Sequence, residues 1–420
     1  MARDQGKALG VPQTMEAPQD GKEPLRLLYL VFNRSGRGTY WRALGFGEAL
    51  AQRGHQVTLL SAAQHFSDGS SEKDVAGVRE VQLPDLHRGS GYDPWHLLQR
   101  LRWLRRRARD EQFDLVHLFE TRPVNLFPGL YLQGTHRVPL FTDWCDWFGR
   151  GGSVEERPNP LLRKFLRPVE TFFEEHYRTR ARATTVINST LQRKSLRLGV
   201  APERILLLPN GANVQEIKPQ PRAGVRRRLG LDGQRCYLAY TGSIFERDAQ
   251  LMARAFDRIC AVRNDVTLLM IGYCNISIKS LVNNPDAVVE SGAISFRQLA
   301  DYVAAADIGW LPLADTGANR GRFPMKAHDF IAAGQPLLVS DVGDLGDFVQ
   351  QYGIGRVAPD EPQAQAQAAL AMLDDTPARE IMGRQARRVA VEERAWPVVA
   401  GKLEQFYYRQ LSGMAEKAKT

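Results

Sequence analysis

The sequence predicts an α/β protein made of two Rossmann-like, doubly wound parallel-sheet domains, and three observations carry that prediction. The first is residues 25–60. An apolar run, LRLLYLVFN, suits a parallel strand buried on both faces. A Gly-rich loop follows at 34–39, then a helical pattern at 40–53 with Trp41, Leu44, Phe46, Leu50 and Ala51 as its apolar positions, then Gly54 and a second strand at 55–60. Strand, glycine loop, helix and strand make a βαβ unit. The second is that the same grammar returns later: strand 237–240, turn Thr241-Gly242-Ser243, helix 250–262 and strand 265–271. The third is length, since 420 residues at ~100–200 per domain imply two domains.

The chain divides into a polar tail at 1–24, a first domain at 25–210, a second at 211–390 and a helical stretch at 391–414, which Pro397 kinks or restarts. The tail has no apolar core of the kind a signal peptide needs. A second tail is expected at 415–420. With 56 Lys and Arg against 47 Asp and Glu, the net charge of +9 favours anionic partners: phosphorylated small molecules or anionic lipid. Paired zinc ligands and aromatic RNA-binding strands are missing, which argues against nucleic acid. Cys145, Cys236, Cys260 and Cys274 are widely spaced without CxxC, as expected of a reduced cytoplasm without a disulfide framework or zinc site. No run approaches the ~18 apolar residues of a membrane span.

Along the first domain, Gly36 and Gly38 place amides at a helix N-terminus, suited to a phosphate or a close sugar approach. Trp41 holds the place of the third glycine of a dinucleotide fingerprint, which disfavours a dehydrogenase-type site. Residues 93–110 read as a helix with Leu97, Leu98, Leu101 and Leu104 ringed by Arg100, Arg102, Arg105, Arg106, Arg107 and Arg109. It is either a solvated helix or a face for anionic lipid or an anionic acceptor. His117, in strand 113–119, is either a core histidine or a cleft residue. Glu120 lies just past that strand, where open α/β sheets bind ligands. Strand 138–142 runs into Asp143-Trp-Cys-Asp146 and a Gly-rich tail to Gly152, either an aromatic-anchored turn or a functional loop. Residues 161–182 read as a helix interrupted near Pro168, and LLRKFLR within it is a second basic, apolar segment.

Residues 322–341 combine a loop, a short helix and the buried strand 336–340. Lys326 and Asp329 are the only charged side chains in that helix and share a face. They are either a solvated pair worth ~0.2–0.5 kcal/mol or one end of a diphosphate site, because Lys326 stands on a first turn where orphan amides already favour an anion.

Several stretches, in this order, resemble one family: GRGTYWRALGFGEALAQRGHQVTLL, FDLVHLFE, LLLPNGANV, YLAYTGSIFERDAQLMARAF, FPMKAHDFIAAGQPLLVSD and RAWPVVAGKLEQFYYRQL. Over residues 25–411 the chain resembles the GT-B-fold glycosyltransferases of the retaining, family 4-like group that includes glycogen synthase and many bacterial sugar transferases. The resemblance implies two domains facing across a cleft, with the last helix crossing back to the first domain. It further implies that Gly36 and Gly38 face the donor phosphates, that Gly242 and Ser243 bring backbone to the diphosphate, and that Arg247 and Lys326 neutralise it. Asp329 would contact the ribose, and Ala293 and Ile294 would line the base. Where the family has a first Glu, this chain has Gly321, with Asn319 or Asp315 as substitutes for the sugar contact. The family's N-domain His gives way to Asp143-Trp-Cys-Asp146.

The expected activity is transfer of a hexose-type sugar from a nucleotide diphosphate sugar, UDP before GDP, to a hydroxyl on a glycan, lipid-linked sugar or small molecule, with retention. No metal or other cofactor is expected. An inverting route would draw its base from Asp143, Asp146 or Glu120. The rival readings are a non-catalytic sugar-nucleotide binding or scaffold protein and a sugar-nucleotide epimerase. The expected location is the cytoplasm, with peripheral attachment to an anionic membrane.

Overall fold

The computed structural model describes residues 22–65, 68–85, 96–107 and 110–417, with side chains as far as residue 413. Residues 1–21 and 418–420 of the expected tails, and residues 93–95 and 108–109 of the basic helix, including Arg109, lie outside the described residues, whereas 415–417 of the second tail are helical.

The first half runs β1 (Arg26–Arg34), α1 (Tyr40–Gln52), β2 (Gln56–Ala62), β3 (Ser71–Val75), β4 (Val78–Leu83), α2 (Leu97–Arg107), β5 (Leu115–Phe119), α3 (Pro123–His136), β6 (Leu140–Trp144), α4 (Pro160–Glu175), β7 (Ala183–Val186), α5 (Ser189–Arg197) and β8 (Ile205–Leu207). Its eight strands are ordered β3-β4-β2-β1-β5-β6-β7-β8. All pairings are parallel except β3 with β4. β1 is central: Leu27 registers with Val57 on one side and Leu115 on the other. Its apolar run is buried because both faces are covered.

The second half runs α6 (Arg222–Arg228), β9 (Cys236–Thr241), α7 (Glu246–Val262), β10 (Val266–Ile271), β11 (Val288–Glu290), α8 (Phe296–Ala305), β12 (Ile308–Leu311), α9 (Gly317–Arg320), α10 (Lys326–Ala332), β13 (Leu337–Ser340), α11 (Asp344–Tyr352), β14 (Gly355–Ala358), α12 (Pro362–Asp374), α13 (Thr376–Glu392) and α14 (Trp396–Lys417). Six parallel strands are ordered β11-β10-β9-β12-β13-β14. The doubly wound prediction holds in both halves. Strand order reverses between β1 and β5 in one sheet and between β9 and β12 in the other. Each reversal leaves a crevice at the C-terminal strand ends, the usual place for a ligand in such sheets.

One expectation about helices changes and another narrows. α4 continues through Pro168. The residue is exposed, so water can serve the carbonyl that its missing N–H leaves unpaired. Pro397 restarts the chain as the second residue of α14, where a proline costs no helix bond. α14 crosses back as expected: Val399, Leu403, Phe406 and Tyr407 join the first domain's core. Glu404 accepts from Arg53 and faces His55 Nε2, both at 2.7 Å. His117 is a core histidine, with Nδ1 2.6 Å from the Tyr407 hydroxyl. Burial lowers its pKa to about 4.

The chain passes between the halves twice, and the crossings meet. Ala212 N donates to Arg394 O at 2.6 Å, and Trp396 N to Ala212 O at 3.3 Å. The Trp396 ring fills the space left by two missing side chains: a Cβ would lie 2.4 Å from it at Gly45 and 2.2 Å at Gly211.

Candidate active site in the interdomain cleft

The second domain's crevice lies between the ends of β9 and β12. After β9 the backbone turns at Gly242 (φ 69°), where an added Cβ would meet no atom within 4 Å. The space in front of this glycine is open. Ser243 O receives Lys326 Nζ at 2.9 Å and the Tyr240 hydroxyl at 3.1 Å. The ammonium also sits 3.7 Å from the Tyr240 ring centre. Burial, followed by the nearby Arg322 charge, lowers the Lys326 pKa to about 7, against the pull of Asp248. Burial raises Asp329 to about 7, with Lys326 opposing. Gly242, Ser243, Lys326 and Asp329 therefore come together, as their sequence positions predicted.

Arg247 makes no contact with them that fixes its side chain. It is exposed on the first turn of α7, and its neighbour Asp248 is the residue turned inward. The second cation of the crevice is Arg322, which sequence reasoning left without a role. Its Nη2 donates to Asp248 Oδ2 at 3.1 Å, its guanidinium lies 4.1 Å from the Phe245 ring, and its Nε is buried without a hydrogen-bond partner. Asp248 Oδ1 accepts from Ala314 N and Asn319 Nδ2, both at 2.8 Å. A bonded carboxylate thus holds Arg322 beside Lys326. Asp248 offsets part of their mutual repulsion, yet the Arg322 charge still lowers the Lys326 pKa, and an added anion would relieve what remains. Ala293 is exposed and Ile294 half-buried in the loop after β11. That loop is tied to the β10 end by a bridge between Gly272 and Gly292.

Of the two residues offered as substitutes at the sugar end, one is buried and committed and the other is held in an exposed ion pair. Asn319 is 2% exposed and spends its amide on Asp248 and Ala314 O. Asp315 is ion-paired with Arg320. Gly321 has a steric cause: a Cβ there would lie 2.3 Å from Trp147 Cβ. Gly317 is equally constrained, because its Cβ would fall 1.6 Å from Gly151 O. The loop after β6 therefore lies directly on α9 and Gly321, where side chains on the two glycines would exclude it. Trp147 keeps its indole Nε1 buried and unpartnered. Further ties between the halves are Ser189 to Asp344 (N and Oγ, both 2.7 Å) and Asn210 Nδ2 to Phe323 O (3.2 Å).

The first domain contributes the loops after β1, β5 and β6. Gly36 (φ 79°) and Gly38 (φ 55°) lie in the β1 loop. Asn33 Oδ1 accepts from Thr39 N at 2.8 Å and leaves no room for a side chain at Gly38. Two of the three candidate bases are structural. Asp143 is fully buried and takes Arg42 Nε and Nη2, both at 2.9 Å, while Arg42 reaches on to Asn210 Oδ1 and Leu208 O, also at 2.9 Å. Burial opposes its ionisation, but Arg42 wins and holds the carboxyl below its usual pKa. Glu120 adopts φ 72° and is 1% exposed. Its Oε1 accepts from Cys145 N (2.7 Å) and Asp146 N (3.1 Å), and its Oε2 pairs with Arg178 at 3.2 Å. Burial raises Glu120 to about 7 against the pull of Arg178, but both groups are buried and committed to bonds that hold loops. Asp146 differs. It is half-buried, raised to about 6 by burial, and faces the charges of Arg322 across the cleft and of Arg122.

The fold and cleft define a GT-B glycosyltransferase, and comparison with known proteins agrees. The glycosyl transferase 4-like domain matches residues 37–211 and the glycosyl transferases group 1 domain matches residues 235–375. The chain belongs to this glycosyltransferase family. It is 27% identical over 229 residues to a D-inositol 3-phosphate glycosyltransferase of Thermobispora bispora, a match covering 50% of this chain and 51% of that one. The chain thus spans about half the length of this curated relative. A sucrose-phosphate synthase from Thermosynechococcus elongatus superposes with a TM-score of 0.73 at 20% identity, over 92% of this chain and 100% of the other. Anabaena Alr3699/HepE, solved in complex with UDP, superposes with a TM-score of 0.67 at 14% identity over 92% and 100%.

Proposed function

We propose that the protein transfers a hexose-type sugar from a nucleoside diphosphate sugar, a UDP-sugar before a GDP-sugar, to a hydroxyl acceptor. The observation that carries this reading is the Lys326–Arg322 pair beside Gly242, two adjacent cations facing open space at the strand-order reversal of the second sheet. An incoming diphosphate would relieve their repulsion. It would also meet fixed positive charge where the leaving group becomes more negative in the transition state. On this reading Asp329 takes the ribose, and Ala293 and Ile294 line the base. On this reading the cations replace a metal, and donor binding survives chelator. The acceptor is a hydroxyl of a glycan, a lipid-linked sugar or a small molecule.

Retention is the preferred stereochemistry, because it needs no protein base: the departing phosphate takes the acceptor proton. One observation favours the inverting alternative, namely Asp146, a half-buried cleft carboxyl with a pKa near 6. The scaffold reading rests on Gly321, where the family's Glu is replaced. A thermal-shift panel of UDP-, GDP-, ADP- and TDP-sugars, with and without chelator, identifies the donor. Anomer analysis of the product then decides the stereochemistry. An inverted product overturns retention, and donor binding without turnover across an acceptor panel favours the scaffold.

A further inference from the structure

α4 is amphipathic in the reverse sense. The residues it buries are acidic: Glu170 is 8% exposed and Glu174 4%, whereas Leu161 is 78%, Phe165 70% and Phe172 47% exposed. Both carboxylates are partnered. Glu170 pairs with Arg157 at 2.6 Å. Glu174 accepts from Trp144 Nε1 (2.9 Å), Phe148 N (2.7 Å) and Gly149 N (2.8 Å). Leu161, Phe165, Val169 and Phe172 follow helical spacing, so they form one outward stripe. Scattered single hydrophobes on a surface need no explanation, but a contiguous stripe does. It continues to half-exposed Phe127 on α3, through Phe173 whose ring centre is 6.1 Å away.

Cations border the stripe. Lys164 and Arg167 are exposed on α4 itself, Arg167 sharing Glu155. α2 packs on the same face of the sheet, with Arg105 5.8 Å from the Tyr131 ring of α3, and exposes Arg102 and Arg106 as well. A second copy related by a two-fold axis would set this cationic rim against itself. An anionic bilayer satisfies both parts: Leu and Phe enter the acyl boundary while Lys and Arg meet the headgroups.

We propose that the α4 face, with the basic face of α2 beside it, docks the protein on an anionic lipid bilayer. Through Glu174 the inner side of the docked helix holds the backbone of the loop that carries Asp146 and Trp147 to the cleft. The membrane contact and the active-site loop thus share one rigid element.

The test is co-sedimentation of the full chain at low salt with phosphatidylcholine vesicles, with and without phosphatidylglycerol. Binding to the anionic vesicles is expected, weakened by salt and lowered by about tenfold or more in Leu161→Asp/Phe165→Asp and several-fold in Lys164→Glu. These side chains are exposed, so the variants should keep the wild-type melting temperature and donor-induced thermal shift. Absence of binding to anionic vesicles, or binding that the double variant leaves unchanged, overturns the proposal. So does a concentration-dependent dimer, seen by sedimentation velocity, that the double variant abolishes.

Discussion

The two crevices follow the same topological rule and treat charge in opposite ways. In the first domain Asp143–Arg42 and Glu120–Arg178 are buried pairs whose remaining bonds go to backbone and to neighbouring loops. In the second, Lys326 leans on a carbonyl and a ring, and Arg322, although ion-paired with the buried Asp248, keeps a buried unpartnered nitrogen. Paired charges fix a framework. Adjacent like charges leave electrostatic free energy for an incoming ligand to release. Ionisable residues past strand ends are therefore not equivalent, and their partners decide which kind each is.

Breaking the framework side gives the largest expected effect. Arg42→Ala leaves Asp143 buried without its partner and should cost ~3–5 kcal/mol, read by urea denaturation. A loss within the error of a surface substitution would undo the contrast. Next, Lys326→Ala should lower kcat/KM for the donor sugar by ~10²–10³ with little change in melting temperature. The reverse outcome, a large fall in melting temperature with kcat/KM unchanged well below it, would class Lys326 with Arg42. Gly321→Glu should destabilise by ~1–3 kcal/mol and weaken donor use, and adding Trp147→Gly, which removes the Cβ it would strike, should recover part of both. Lack of any recovery would show that Trp147 is not the obstacle.

The pH dependence is smaller and has two signs. Lys326 loses its proton at about 7 in the folded protein rather than at 10.5, so donor KM should rise several-fold as pH passes from 6 to 8, measured by steady-state kinetics. Between about pH 7 and 10 the unfolded chain binds the extra proton, so this group's contribution to unliganded stability rises over that window. Asp329, raised to about 7, acts below it: the folded state holds the extra proton from about pH 4 to 7, and its contribution falls as pH rises there. The smallest effect is Arg247→Ala, exposed and outside the cation pair, with an expected change in kcat/KM below about threefold. A loss as large as that of Lys326→Ala would return Arg247 to the diphosphate.

Much of the fold was legible because parallel strands announce themselves as apolar runs and glycines mark their ends. β3, SEKDV, was missed because it is an exposed edge strand with almost no apolar residue. α3 was missed because Pro128, Gly129 and Gly134 contradict a helix whose buried face the sheet nevertheless stabilises. In the site, Lys326 and Asp329 stood out as lone charges in an apolar helix. Arg322 did not, since its role depends on Asp248, which precedes it by 74 residues. Asp143 and Glu120 looked reactive for the same reason: Arg42 and Arg178 are 101 and 58 residues away in sequence.

Trp396, seated between Gly45 and Gly211 where the two crossings hydrogen-bond, fixes where the halves can turn. A chain that crosses once can swivel in any direction. One that crosses twice at adjoining points has a single easy axis, and the indole is its pin. A rotation about that axis would part Trp147 from Gly321 and Ser189 from Asp344 while leaving the bonds of Ala212 with Arg394 and Trp396 intact. Gly45 and Gly211 thus matter to the cleft without lining it: a side chain at either would displace the indole on which the halves turn.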